Sequence, residues 1–388
     1  MHLSSALRAA SVAALCVAVL TPVTAAGPAS AAPRGGDDHR LQEQLDRFVR
    51  SPGGPPAVIA VLHYGRKTRV LTAGAADLRT GRPPRPDDHM RIASTAKAYS
   101  GAVALALADR GALDLDDTLA RRLPRLPAAW GAVTLRQLLQ HTSGLPDYSE
   151  STVFRDEIRA DPRHHFDSRR LLDYVADKPL RFAPGSRYQY SNSDNIAVAL
   201  MAEAATGTRY ESLLRELVYR PLGLHRTSLP QGYRMPKPYM HGYAVDPPAA
   251  PEDVSEVLGM SGVWASGGIV STPADMNRFV RGYVGGALFG GRMIHAQRRW
   301  IEGSSEPAGP GHNRAGLALF RYDTRCGAVY GHTGNTLGYT QLVAASPDGR
   351  RSLTFSATTQ INKATDPAQV ERMRELEENL VCALLRHP

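Results

Sequence analysis

Ser94 and Lys97 stand three residues apart at the head of a mostly apolar run, Ala98 to Asp109, with Gly111 just beyond it. That run reads as a helix opening at Ser94 and stopping at Gly111. Residues at i and i+3 project from one helical face, so the Lys97 amine falls one turn from the Ser94 hydroxyl. A free lysine has a pKa of about 10.4 and is almost wholly charged at pH 7. Burial that lowers this by ~3 units would leave roughly a third of the amine neutral and able to take the serine proton. A hydroxyl relieved of its proton is a nucleophile, and the helix N-terminus adds a backbone N–H for an oxyanion. The same four residues also suit a plain N-cap followed by a surface lysine, and an S-x-x-K alone does not separate the two.

Two further segments carry chemistry-bearing groups. Phe182-Ala-Pro-Gly185 turns into Tyr188-Gln-Tyr190-Ser191-Asn192, ahead of a helix read over Ile196–Ala205. A Tyr two residues before an Asn places a phenol and a carboxamide on one side of an extended turn. The phenol can relay protons to and from Ser94, and the Asn192 amide can bind a substrate amide. A charged Lys97 would hold down the phenol pKa, whereas a neutral one would accept the proton itself; both states are open. Gly331-His332-Thr333-Gly334-Asn335 closes a strand beginning near Gly327. Gly334 clears space for a substrate backbone, and His332 and Thr333 offer donors to a carboxylate or leaving group. An imidazole at 332 titrating near its ordinary pKa of about 6.5 predicts weaker binding of carboxylate substrates as pH rises. Trp264, beside Gly262 and Gly267, fits a substrate cleft or simple packing equally well. Each of these segments, taken alone, also fits ordinary loop packing.

The elements that must position these groups come from both ends of the chain. Ala57–Tyr64 and Thr68–Ala73 read as paired strands, and Gly316–Tyr322, Gly327–Tyr330, Gly338–Ala344 and Ser352–Ala357 as four more. Short turns such as Ser346-Pro347-Asp348-Gly349 argue for antiparallel pairing. Gly35-Gly36-Asp37-Asp38 reads as a flexible leader before a helix over Leu41–Val49. Pro367–Leu385 is a helix with Val370, Met373, Leu376, Leu380 and Leu384 on one face. From about 95 to 300 the chain is rich in helices and loops. The expected class is α/β (α+β): an antiparallel sheet from about 39–80 and 310–388, flanked by helices, with a mostly helical part over about 81–309 inserted.

Composition bounds the rest. With 388 residues, 43% hydrophobic and 21% charged, the chain can bury a sizeable core and is neither disordered, collagen-like nor disulfide-stapled. The net charge is +9, and 41 of the 46 cations are Arg. They are scattered, with no nucleic-acid arm, although a net positive chain drifts toward anionic surfaces. Met1–Ala31, with Arg8, an apolar stretch and the Ala29-Ser30-Ala31 exit, reads as an export signal too short for a membrane anchor. Its removal leaves a secreted chain of 357 residues with net charge +8. Two cysteines would remain, Cys326 and Cys382, as one disulfide or as two buried thiols. His164-His165 and Leu113-Asp-Leu-Asp-Asp117 lack the partners that zinc or calcium needs, so neither metal nor cofactor is expected.

Taken as a set, the serine–lysine helix start, the Tyr-x-Asn loop and the His-Thr-Gly strand resemble the penicillin-recognising serine hydrolases. The similarity is to the branch of class C β-lactamases and secreted D-alanyl-D-alanine carboxypeptidases. It extends to Leu138-Leu-Gln-His-Thr-Ser-Gly-Leu145, Phe182–Gly185, Arg220-Pro-Leu-Gly-Leu224 and Gly267-Gly-Ile-Val-Ser-Thr272. The resemblance implies a β-lactamase/transpeptidase-like fold. It implies Ser94 as nucleophile, Lys97 as its proton acceptor and Tyr190 as general base and acid. Asn192 would then bind the substrate amide, and His332, Thr333 and Gly334 the substrate. The backbone N–H groups of Ser94 and Asn335 would form the oxyanion hole. Arg321 is the candidate for a substrate carboxylate, and Cys326 would pair with Cys382. Ser193-Asp194-Asn195 spells the S-D-N of class A β-lactamases, but the chain has no Lys-Thr-Gly, and the Pro-Gly and Tyr spacing favours the Tyr190 register. His332 stands where class C enzymes usually carry Lys. The implied activity is a monomeric serine D-alanyl-D-alanine carboxypeptidase, cleaving stem peptides through an acyl-serine and acylated by β-lactams. A β-lactamase, esterase or D-aminopeptidase on the same site, or a β-lactam sensor without turnover, are the alternatives.

Overall fold

The computed structural model describes residues 35–364 and 366–386, so the export segment lies outside the described residues. Eight strands form one antiparallel sheet: β1 (Ala57–Tyr64), β2 (Lys67–Gly74), β3 (Ile301–Glu302), β4 (His312–Ala315), β5 (Phe320–Thr324), β6 (Gly327–Thr336), β7 (Tyr339–Ala345) and β8 (Arg351–Ala357). Their order is β2-β1-β8-β7-β6-β5-β4-β3. The two chain ends therefore meet in mid-sheet, where Val58 faces Ala357 and Tyr64 faces Arg351.

Alternation along β1 explains why it lies between two layers. Val58, Ala60 and Leu62 enter one apolar cluster, whereas Ile59 and Val61 enter the other. On the first face lie α1 (Gly35–Arg50), through Leu41, Leu45 and Phe48, and α5 (Pro367–Arg386), through Val370, Met373, Leu376, Leu380 and Leu384. Each such side chain contributes about 1.5–3 kcal/mol on burial. Cys326, in the turn between β5 and β6, is joined to Cys382 of α5, with Cα atoms 5.1 Å apart. On the other face lie α2 (Ala96–Asp109), α3 (Asn192–Thr206) and α4 (Pro273–Val284). Every residue of α2 from Ala96 to Ala108 is buried, as a helix apolar on all sides must be. Among the described residues, no helix is long and apolar enough to cross a membrane.

Three local expectations change. α1 starts at Gly35, so Gly35–Asp38 is helical rather than a flexible leader. Docking of its apolar face on the sheet propagates the helix backward cooperatively. The apolar run Gly316–Tyr322 is not one strand. Gly316 N–H donates to Leu319 O, Ala318 takes φ 49°, and the bend sends Leu317 and Leu319 into the helical layer before β5 begins. Continuous apolarity there reports burial in a turn, which period-2 reading cannot distinguish from a strand. Helix α3 starts four residues earlier than expected, at Asn192.

Two features of this frame are testable. At Gly334, on β6, a methyl group would collide with Ile92 O and lie 3.0 Å from the Thr95 amide nitrogen, both in the turn that carries Ser94. Gly334→Ala should therefore lower thermal stability by about 1–3 kcal/mol and acylation by at least tenfold; unchanged acylation would refute the close approach. Glu377, on α5, is fully buried with neither carboxylate oxygen bonded, and burial pushes its pKa up to about 8. Unfolded, the carboxyl ionises near 4.5; folded, it keeps its proton to about 8. Stability thus declines as pH rises between those values. Glu377→Gln should be more stable than the parent by on the order of 2–4 kcal/mol at pH 8, with the difference vanishing only below the unfolded pKa, near pH 4, in thermal melts.

Candidate active site

Ser94 sits in a one-turn helix, Ala93–Thr95, that leads directly into α2. The turn is pinned from both sides. Ile92 N–H donates to Ile269 O at 3.1 Å, and Gln341 Nε2 of β7 donates to Arg91 O at 3.1 Å. The buried Arg91 guanidinium is itself spent on the carbonyls of Tyr233, Ser255 and Leu258. Ala93 is held at φ 49°, a left-handed conformation that costs an L-residue roughly 1–2 kcal/mol. The serine thus projects from a turn that its surroundings over-determine.

Lys97 is fully buried. Its Nζ lies 3.1 Å from Ser94 Oγ, 2.8 Å from Asn192 Oδ1 and 2.8 Å from Ser266 O. Asn192 Oδ1 and Ser266 O can only accept, so they fix two N–H bonds. The third tetrahedral position of the nitrogen points at Ser94 Oγ, as a proton donor when charged and as a lone pair when neutral. Burial lowers the Lys97 pKa to about 7, against the raising fields of Asp147, Glu306 and Asp194.

Tyr190 packs its ring 4.9 Å from Lys97 Nζ and 4.5 Å from the His141 ring. Its hydroxyl is buried with no well-formed hydrogen bond, yet it is near enough to Ser94 for that side chain to draw its pKa down. Burial dominates and raises the phenol well above its ordinary value. Behind it, His141 Nδ1 lies 2.8 Å from Asp194 Oδ2, and Ser143 Oγ donates to Asp194 Oδ1 at 2.5 Å. Burial lowers His141 to about 3 and lifts Asp194 well above the carboxylate range, so it works against charge on both members of the pair. The S-D-N residues all face inward: Ser193 Oγ donates to Pro146 O and Ser100 Oγ to Asn195 Oδ1.

Asn192 is held more tightly than its sequence position implied. Its backbone N–H and Nδ2 both donate to Asp147 Oδ2, at 2.8 and 3.1 Å, and Nδ2 also donates to Ser149 Oγ. Only a second lone pair on Oδ1 remains for a substrate N–H. Asp147 and Ser266 were missed in sequence. Asp147 follows directly on the His141–Leu145 segment, but nothing there distinguishes a carboxylate facing Asn192 from an ordinary turn cap. Ser266 acts through its carbonyl, which no side-chain motif reports.

A cleft of about 630 Å³ opens over Ser94, lined by Tyr188, Tyr190, Asn192, Asn335, Glu306 and Arg374 among others. His332 and Thr333 are fully buried on β6. His332 Nδ1 lies 2.6 Å from Thr333 O, its Nε2 is unpartnered, and Thr333 Oγ1 donates to Pro307 O. Burial lowers His332 to about 3, which corrects the expectation of titration near 6.5: the ring is neutral across the working range. Arg321 does not line the cleft; its guanidinium pairs with Asp323 on the same strand, at 2.7 Å. Trp264 is not a cleft residue either. It is fully buried, donates Nε1–H to Glu211 Oε1 at 3.0 Å and stacks edge-on against Tyr210. Among the described residues, no three His, Cys, Asp or Glu side chains are grouped to hold a metal ion.

Comparison with known proteins gives concordant relatives. The chain is 29% identical over 332 residues to penicillin-binding protein 4 of Amycolatopsis lactamdurans, covering 80% of this chain and 82% of that protein. It is 28% identical over 281 residues to the D-alanyl-D-alanine-carboxypeptidase/endopeptidase AmpH of Escherichia coli K12, covering 70% and 68%. The crystal structure of a D-stereospecific amidohydrolase from a Streptomyces species superposes with a TM-score of 0.74 at 26% identity, over 87% of this chain and 98% of that one. The family description named Beta-lactamase matches residues 41–378, and with a match of that extent the chain belongs to the β-lactamase family of serine hydrolases.

Proposed function

We propose that the chain is a serine amidohydrolase acting on D-configured acyl donors by double displacement at Ser94. The observation that carries this reading is the tetrahedral setting of Lys97 Nζ, with two fixed acceptors and Ser94 Oγ as the third neighbour. The D-configuration rests on the relatives, one of which is named for D-alanyl-D-alanine and another as a D-stereospecific amidohydrolase.

As Ser94 Oγ bonds to the substrate carbonyl carbon, its proton passes to neutral Lys97 Nζ. The carbonyl oxygen becomes an oxyanion facing the backbone N–H groups of Ser94 and Asn335. The C–N bond then breaks, and the proton returns to the leaving nitrogen, directly or through the Tyr190 hydroxyl. Tyr190 rests as a neutral phenol, so it serves as acid and relay, and Lys97 is the base; the raised phenol and lowered amine pKa values support this division over a tyrosinate base. Water attacks the acyl ester, loses its proton to Lys97, and Ser94 Oγ regains one as the acid leaves.

A D-alanyl-D-alanine carboxypeptidase is the second reading, within the same chemistry. Lys363, an exposed cation lining the cleft, favours it as a receptor for a terminal carboxylate in place of Arg321. Action outside the cell rests on the export-like residues 1–31 alone.

Ser94→Ala should abolish labelling by a fluorescent penicillin, seen on a denaturing gel; a persistent band would remove the serine assignment. For the parent, kcat/KM should climb between pH 6 and 8 along one ionisation near 7, from roughly a tenth to nine-tenths of its plateau. Asp147 raises the Lys97 pKa, so Asp147→Asn should move that midpoint to lower pH. A pH-independent rate, or a midpoint unmoved in the variant, would contradict Lys97 as the base.

A further inference from the structure

The cleft contains a carboxylate with nothing to bind. Glu306 lies on the wall formed by residues 304–308 and makes no hydrogen bond or ion pair among the described residues. Glu306 is an exposed residue of this wall, within reach of a ligand. Its field acts on Lys97, Tyr188 and Tyr190, which places it in the neighbourhood of the reacting bond. The nearby acids are already committed: Asp147 to Asn192 and Ser149, and Glu150 to Arg181. Although Glu306 is exposed, partial desolvation by the cleft wall raises its pKa from the ordinary carboxylate value, and an arriving cation would favour the charged form.

Lys97, Lys363 and Arg374 lie in or beside the cleft, and none of them forms a hydrogen bond or ion pair with Glu306 among the described residues. Lys97 is enclosed by its three oxygen neighbours, and Arg374 spans the carbonyls of Gly309 and Gly311 at 3.1 and 2.8 Å. Arg321 is outside the cleft, and His332 is neutral. Near Ser94 the cleft therefore offers an unneutralised negative group, which matches a positive one on the substrate.

We propose that Glu306 receives a free ammonium group on the acyl donor, so that the preferred substrates are amides and peptides whose amine lies within a few bonds of the scissile carbonyl. This inference rests on the acyl-Ser94 reading and adds to it the charge class of the acyl group. An N-acylated donor would leave Glu306 desolvated against a neutral amide, and would lose the charge-assisted contact.

The test compares D-alanine p-nitroanilide with its N-acetyl derivative, with p-nitrophenyl acetate as an uncharged reporter of Ser94. The parent should prefer the free amine by about tenfold or more in kcat/KM. Glu306→Gln should bring that ratio to about 1, and Glu306→Asp should retain most of it. The ratio is internal to each variant, so loss of folded protein cannot mimic the effect. Equal rates for the two anilides in the parent, or a preference that survives in Glu306→Gln, would overturn the proposal. So would a preference for N-acetylated D-alanyl-D-alanine that disappears in Lys363→Ala. Failure of the underlying reading looks different: p-nitrophenyl acetate turnover that is absent from the parent or unaffected by Ser94→Ala.

Discussion

A single amine, kept from water inside a helix buried on every side, sets the terms for everything around it. Lys97 can rest without charge only because α2 is buried on all sides, and it can act as a base only because two oxygens hold its N–H bonds away from Ser94. Those oxygens come from separate places, the amide of Asn192 at the head of α3 and the carbonyl of Ser266 in the segment packed against Ala93. The sheet supplies the remaining constraint. β6 passes so close to the nucleophile turn that only glycine fits at position 334. The helical layer thus controls the proton and the sheet controls the position of the oxygen.

Around that amine the protein removes charge. Burial works against charge on both His141 and Asp194, His332 is kept deprotonated, and Tyr190 holds its proton. In a low-dielectric site each surviving charge then acts over a longer range. Asp147 is the carboxylate kept close to Lys97, and it serves twice. It orients the Asn192 amide so that the oxygen rather than the nitrogen meets the lysine, and its field tempers the fall in the lysine pKa.

Much of this was legible in the sequence because it depends on period and side-chain type. The i, i+3 spacing of Ser94 and Lys97, the alternating strand β1 and the one-sided apolar face of α5 all follow from elementary geometry. The same reasoning located Tyr190 and Asn192 beside one another, but it assigned the space at Gly334 to a substrate backbone, whereas the structure fills it with the chain's own Ile92–Thr95 turn. What it missed depends on backbone groups or on burial set by distant residues. The Ser266 carbonyl has no side-chain signature. Arg321 looked available until its neighbour two residues on, Asp323, took it. The His332 ring is neutral because Phe320 and the sheet enclose it, a fact of packing rather than of residue type. Trp264 kept both readings open in sequence, and the Glu211 carboxylate and Tyr210 ring account for it as core.

The pairing of β1 with β8 has a further meaning for the life of the chain. Ser94 is made early, but its turn is completed by Ile269, Gly334 and Gln341, and the sheet that carries the last two includes the pairing of residues 351–357 with residues 58–64. A partly synthesised chain therefore has the nucleophile without the surroundings that arm it. The groups that arm the nucleophile thus come from segments far apart in the chain, and a fragment lacking the final strands would lack part of the frame around Ser94.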